Sequence, residues 1–205
     1  MTSKLWVFRQ VDPIQRGRLS QALSISSATA SLLLNRGVMN VDQALAWMSP
    51  LRTHDPFLIP DIERAVDRLH QAMQRQERVC FYGDYDVDGM SATSVYLSFF
   101  RDRGAQVRAY VPHRLREGYG LNEHAIRALA QDGITLLVTS DCGTTSHREI
   151  TLASQLGIDV IVTDHHLPEA EIPPAAAVVN PNQPGCPYPN KNLCGAGVAY
   201  KLAMA

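Results

Sequence analysis

From residue 79 onward, short uninterrupted apolar runs alternate with stretches whose apolar residues recur every three or four positions. A four- or five-residue apolar run bounded by polar turns is the pattern of a strand buried on both faces. A three-to-four spacing is one face of a helix. On this basis the sequence predicts strands over 79–82, 107–111, 134–139, 159–163 and 176–179. Between them it predicts helices over 90–102, 123–131 and 147–156, and a last helix from 197 to 205. A loop rich in Pro and Asn runs from 180 to 194. Strands alternating with helices imply an α/β fold, a parallel β-sheet flanked by helices on both faces.

Upstream the texture changes. Leu19 and Leu23, then Ala30, Leu33 and Leu34, then Val41, Ala44, Leu45, Trp47 and Met48 mark two or three short helices between residues 18 and 48. Trp6 and Phe8 are expected as anchors, and Trp47 as a packing residue. Pro50, Pro56 and Pro60 punctuate a connector. Asp61 reads as the N-cap of a helix reaching about residue 76, with Ile62, Ala65, Val66, Leu69 and Met73 on one face. The expected organisation is a small N-terminal helical appendage with its connector, residues 1–60, followed by the α/β domain, residues 61–205.

Composition adds limits. With 45% hydrophobic and 19% charged residues in 205, the chain can bury a sizeable core. A net charge of −1 excludes a molecule-wide field for nucleic acid or membranes, but not a local basic groove. No apolar segment reaches the roughly 18 residues of a membrane span, and residues 1–20 hold no signal-peptide core. Cys80, Cys142, Cys186 and Cys194 form no CxxC pair, which suits reduced thiols in the cytoplasm and disfavours zinc at Cys186 and Cys194.

Chemistry enters at the strand ends. In open parallel sheets ligands bind outside the carboxyl ends of the strands. The first strand runs into Asp84, Asp86 and Asp88, which converge if the backbone stays extended. The third ends at Asp141, and the fourth at Asp164, His165 and His166. One acidic turn is an ordinary solvated loop; three at equivalent positions of one sheet edge point to a metal centre. Carboxylates with imidazole suit Mn²⁺, Mg²⁺ or Zn²⁺, and a bridging carboxylate permits two ions about 3.5–4 Å apart. Cys142 follows Asp141 and is expected to point away from the centre.

Arg114 and Arg116 lie in residues 101–127, a segment with six Arg against three acidic residues. Guanidinium forks suit phosphate oxygens, so the segment is either a phosphate contact or an exposed loop with solvated charge. Tyr119 either stacks on a base or packs on the sheet. Asn180, at a strand end, either binds a ligand carboxylate or the substrate, or caps its turn. Gly195 and Gly197 do not form a dinucleotide loop, because no strand precedes them and Tyr200 stands at the third glycine position. A role in packing or phosphate approach at a helix start remains.

The motifs GDYDVDG (83–89), DCG (141–143), TDHH (163–166), NPN (180–182) and CGAGVAYKL (194–202) together resemble those of the DHH phosphoesterase family. EGYGL (117–121) and DHHLP (164–168) are similar to that family's bacterial single-strand-specific exonucleases. The resemblance covers roughly residues 60–205. It implies two-metal phosphodiester hydrolysis with Mn²⁺ or Mg²⁺, acting 5′ to 3′ on single-stranded DNA in repair and recombination, with repair or replication proteins as possible partners. Carried over by position, it makes Asp86, Asp88, Asp141 and His165 metal ligands and Asp84 a ligand or a close neighbour of one. It sets His166 over the scissile phosphate as donor or acid, Asp164 as its orienting group, and Arg114 near the DNA end. Where some family members carry a histidine just before the Asp pair, this chain has Tyr82 and Asp84. The family pattern also implies a further Asp ligand and a second domain beyond residue 205, so an incomplete centre that binds metal weakly and cleaves poorly is expected. The alternatives are a DHH phosphatase or oligoribonuclease acting on short nucleotides, and a non-catalytic module binding DNA or a partner.

Overall fold

The computed structural model describes residues 9–48 and 53–205; Trp6, Phe8 and Pro50 lie outside them. The chain divides into two compact units, residues 1–53 and 54–205.

The first unit holds α1 (Pro13–Leu23), α2 (Ser27–Asn35) and α3 (Val41–Met48). Helix α1 begins five residues earlier than expected because Asp12 caps the Ile14 N–H and Pro13 has its φ preset for a first turn. Leu19, Ala30, Leu33, Leu34, Val38 and Ala44 form its core. Trp47 is 61% exposed, which corrects the expectation that it packs. Of the residues of α3 only Ala44 is buried in this small core, and Leu45 and Met48 are exposed too.

The second unit comprises α4 (Ile62–Gln74), β1 (Val79–Gly83), α5 (Val87–Arg101), β2 (Val107–Tyr110), α6 (Glu123–Gln131), β3 (Leu136–Ser140), α7 (His147–Gln155), β4 (Asp159–Thr163), β5 (Ala177–Val179) and α8 (Gly195–Met204). All strand pairs among the described residues are parallel, in the order β2-β1-β3-β4-β5. Alternating strand residues serve opposite faces. Val79, Phe81, Val138, Ile161 and Val179 pack beneath α4, α5 and α8, while Cys80, Tyr82, Leu137, Val160 and Val178 face α6 and α7. Both faces are covered, and β1, β3 and β5 are buried along their whole length. Residues 54–60 belong with this unit because Pro56 and Ile59 are buried in it.

Asp61 stands at the N-cap position of α4, but its side chain makes no capping hydrogen bond. Its backbone is left-handed (φ 58°), its Oδ2 accepts from the Val178 N–H at 3.0 Å, and its Oδ1 pairs with Arg64. It therefore ties the start of α4 to the edge strand β5. Beneath α5, Phe81 stacks on Tyr96 with centroids 4.9 Å apart and lies 5.3 Å from Phe100; the Tyr96 hydroxyl donates to Thr163 Oγ1 at 3.0 Å. Among the described residues no helix is long and apolar enough to cross a membrane.

Phe81 sits at the centre of this packing, so Phe81→Ala should cost about 3–5 kcal/mol in chemical denaturation. A loss below about 1 kcal/mol would contradict the placement of β1 in the middle of the core.

Candidate metal centre

The order β2-β1-β3 makes β1 and β3 neighbours whose following connections leave in opposite directions, and such a switch point opens a crevice at the sheet edge. Gly83 ends β1 opposite Ser140, which ends β3, and the Asp84 N–H donates to the Ser140 carbonyl at 3.1 Å. Asp84 and Asp141 thus start side by side.

Beyond Gly83 the chain does not stay extended. Asp86 is the N-cap of α5, its Oδ1 accepting from the Asp88 and Gly89 N–H groups at 2.9 Å each. Asp88 stands in the first helical turn. The three carboxylates are therefore gathered by a strand-to-helix turn, not by strand alternation, and α5 begins three residues earlier than expected. Gly89 is needed there, because a Cβ would fall 2.5 Å from the Asp84 carbonyl oxygen.

Asp141 turns sharply out of β3 in the left-handed region (φ 68°), where its N–H donates to the Thr163 carbonyl at 3.0 Å. Asp84, Asp86 and Asp141 each place one oxygen within 4.8 Å of the others, and Asp141, His165 and His166 do the same with their ligand atoms. His165 Nε2 is 3.0 Å from Asp141 Oδ1 and 3.6 Å from Asp88 Oδ2. Asp88 lies outside both groups. Its two oxygens accept from the Gly195 and Ala196 N–H groups at 2.7 and 2.8 Å, docking the positive end of α8 against the cluster. A Cβ on Gly195 would fall 2.6 Å from Asp141 Cβ, so close packing explains this glycine.

The electrostatics divide these acids into two kinds. Burial, then the neighbouring Asp88 and Asp86 carboxylates, push Asp141 up to about 7. Burial also raises Asp84, whose Oδ1 is buried with no hydrogen-bond partner. Burial pulls Asp164 upward as well, yet hydrogen bonds from His166 and Thr144 outweigh it and hold Asp164 low. Its Oδ2 accepts from the Thr144 N–H at 3.0 Å. Its Oδ1 accepts from the His165 and His166 N–H groups, at 2.7 and 3.1 Å, and meets His166 Nδ1 at 2.7 Å. The bond to Asp164 raises His166 to about 8. Buried carboxylates with unmet lone pairs beside an imidazole fit a hard divalent cation.

Asn180 is fully buried. Its Nδ2 donates to Thr144 Oγ1 at 3.0 Å and to the His166 carbonyl at 2.8 Å, and its Oδ1 accepts from the Asn182 N–H at 2.8 Å. With its donors on the two loops, it clamps the site in this structure. Asn182 holds the His165 carbonyl in the same way. Sequence reasoning gave no role to Asn182, the last residue of the NPN motif, or to Thr144, which directly follows DCG. Cys142 is buried on the opposite face, its Sγ 3.9 Å from the Tyr82 carbonyl.

At the rim, the exposed Arg114 guanidinium lies 5.3 Å from the centre of the Tyr85 ring. The local basic excess is dispersed: Arg108 pairs with Asp132, Arg127 with Glu123, and Arg103 lies over Phe99. The Tyr119 hydroxyl reaches into the site, 3.4 Å from His166 Nδ1.

A parallel sheet with carboxylates and imidazoles gathered at its switch point is the arrangement of an α/β domain that can hold a divalent cation. The DHH family, N-terminal domain, matches residues 78–205, and the chain belongs to the DHH family. Among curated proteins, the single-stranded-DNA-specific exonuclease RecJ of Bacillus subtilis (strain 168) is 42% identical over 208 residues, covering all of this chain and 26% of that protein. A crystal structure of exonuclease RecJ bound to manganese matches with 35% identity and a TM-score of 0.65, over 71% of this chain and 37% of that one. RecJ in complex with Mn²⁺ from Thermus thermophilus matches with 27% identity and a TM-score of 0.69, over 94% of this chain and 27% of that one. The chain spans about a quarter to a third of the length of the curated relatives it matches.

Asp141 and His166 both bind a proton more tightly folded than unfolded. Their contribution to stability is complete below the ordinary values of 3.8 and 6.5, and drains away as pH rises through about 7 and about 8. The thermal midpoint of metal-stripped protein should therefore fall between about pH 6 and about pH 8, and saturating Mn²⁺ should raise it most at the upper end. A midpoint flat in pH and indifferent to Mn²⁺ would contradict this electrostatic picture.

Proposed function

We propose that this chain carries the metal-holding part of an exonuclease that removes nucleotides from the 5′ end of single-stranded DNA. The observation that carries the reading is the convergence of buried Asp84 and Asp141 with Asp86, His165 and His166 at the β1–β3 edge. The RecJ relatives named as single-stranded-DNA-specific exonucleases supply the substrate class. The solved relatives bound to manganese supply the cation. The proposed ligands are Asp84, Asp86, Asp141 and His165, with Asp88 at their border. One or two Mn²⁺ or Mg²⁺ ions bound there would supply an activated water and neutralise charge developing on the phosphoryl oxygens.

The chain's own groups do the rest. Asp164 fixes the His166 ring through Nδ1 and keeps it protonated near neutral pH. A cationic imidazole beside the cluster attracts a phosphate oxygen and can hand its proton to the leaving oxygen. Asn180, Asn182 and Thr144 hold the two histidine-bearing loops in place. Arg114, exposed beside Tyr85, offers a fork to a strand's terminal phosphate. A DNA substrate also fits a cytoplasmic address.

The test is digestion of 3′-labelled single-stranded and duplex DNA in Mn²⁺, with Asp141→Ala as control. The single strand should shorten from its 5′ end, the duplex should resist, and the variant should be slower by about 100-fold or more. Equal digestion by the variant, or none by either protein, would remove the exonuclease reading. His166→Ala should cost about 10²–10⁴-fold in rate while leaving Mn²⁺ affinity within about threefold. A parallel loss of affinity would make His166 a ligand instead of an acid.

A further inference from the structure

The loop joining β2 to α6 is tied down more firmly than a linker requires. Gly118 and Gly120 both adopt positive φ, 80° and 77°, with open space where a Cβ would stand, so they serve the shape of the turn. On one side Glu117 accepts from the Tyr110 hydroxyl, from the His113 N–H at 2.7 Å and from Asn122 Nδ2 at 3.4 Å. On the other, buried Tyr82 donates its hydroxyl to the Gly120 carbonyl at 2.9 Å and accepts from Asn122 Nδ2 at 3.0 Å.

Tyr119 stands between these two anchored glycines. Its ring meets His166 edge-on, with centroids 6.0 Å apart, and its hydroxyl lies 3.4 Å from His166 Nδ1 and 3.5 Å from the Asp141 carbonyl. Both contacts sit at the long limit of hydrogen bonding, and His166 Nδ1 already has its short partner in Asp164. The loop thus delivers a phenol O–H, a neutral donor, to the space between a proposed metal ligand and the proposed acid, and no short bond consumes it there.

We infer that the Tyr119 hydroxyl donates a hydrogen bond to the phosphate group of the substrate, a further catalytic residue whose assignment rests on the phosphodiester reading above. It adds a donor without adding charge. Its place is set by the glycine turn and by Tyr82 and Glu117, not by the cation cluster.

Tyr119→Phe removes one oxygen and keeps the ring. The experiment compares it with the parent chain in single-strand digestion, in Mn²⁺ titration calorimetry, and in binding of thymidine 5′-monophosphate with Mg²⁺ present. The expected result is a rate lower by about 10-fold or more and nucleotide binding weakened by a similar factor, with Mn²⁺ affinity within about twofold. A rate within about twofold of the parent overturns the inference alone. A fall in Mn²⁺ affinity that tracks the fall in rate also overturns it, by assigning Tyr119 to the assembly of the cluster. A parent chain that digests no single strand overturns the exonuclease reading and this inference with it, before the variant is compared.

Discussion

Carboxylates buried together at the edge of one sheet are the constraint on which this domain turns. Asp84, Asp141 and Asp164 are each nearly inaccessible to water, and Asp86 and Asp88 stand beside them. Burying a carboxylate is costly unless hydrogen bonds or opposite charge compensate, and like charges side by side raise the cost. The fold answers differently for different members. Asp164 receives three backbone N–H groups and a histidine nitrogen. Asp88 receives the first amides of α8. Asp84 keeps a buried Oδ1 that receives no hydrogen bond, and the buried Oδ1 of Asp141 faces His165 Nε2 at 3.0 Å. That division separates the acids that organise the site from Asp84 and Asp141, which open onto the cluster.

The architecture around them serves the division. Parallel pairing of β1 with β3 brings Gly83 and Ser140 level, so the residues after them emerge as neighbours. Glycines at 89 and 195 let the N-termini of α5 and α8 approach closer than any side chain would allow. Each of those helix ends presents N–H groups to an acid, Asp86 on α5 and Asp88 on α8. Packing of Phe81, Tyr96 and Phe100 beneath α5 fixes the helix that carries Asp88, and the Tyr96 hydroxyl joins it to the strand that delivers Asp164. The core and the site are thus built from the same few elements.

Much of this was legible in the sequence because its signals are local. Continuous apolar runs placed β1 and β4 within a residue of their observed bounds, and three-to-four spacing placed α6. What escaped depended on choices between local alternatives that only tertiary structure makes. An Asp after a strand can continue it or cap a helix, and at Asp86 capping won. Asp61 looked like a cap, but a strand N–H across the fold claimed its side chain. Asn180 had two readings of equal weight, and the sequence could not show that its side chain would be buried among three partners. Tyr119 could not be placed, because its position depends on a turn braced by Tyr82 and Glu117 from separate elements.

The central claim is that the buried carboxylates of Asp84 and Asp141, with His165 beside them, hold a divalent cation. Calorimetric titration of Mn²⁺ into metal-stripped protein, beside Asp141→Ala, tests it most directly. Saturable binding that disappears in the variant is the predicted result. Binding unchanged by Asp141→Ala, or no saturable binding by the parent chain, would contradict it.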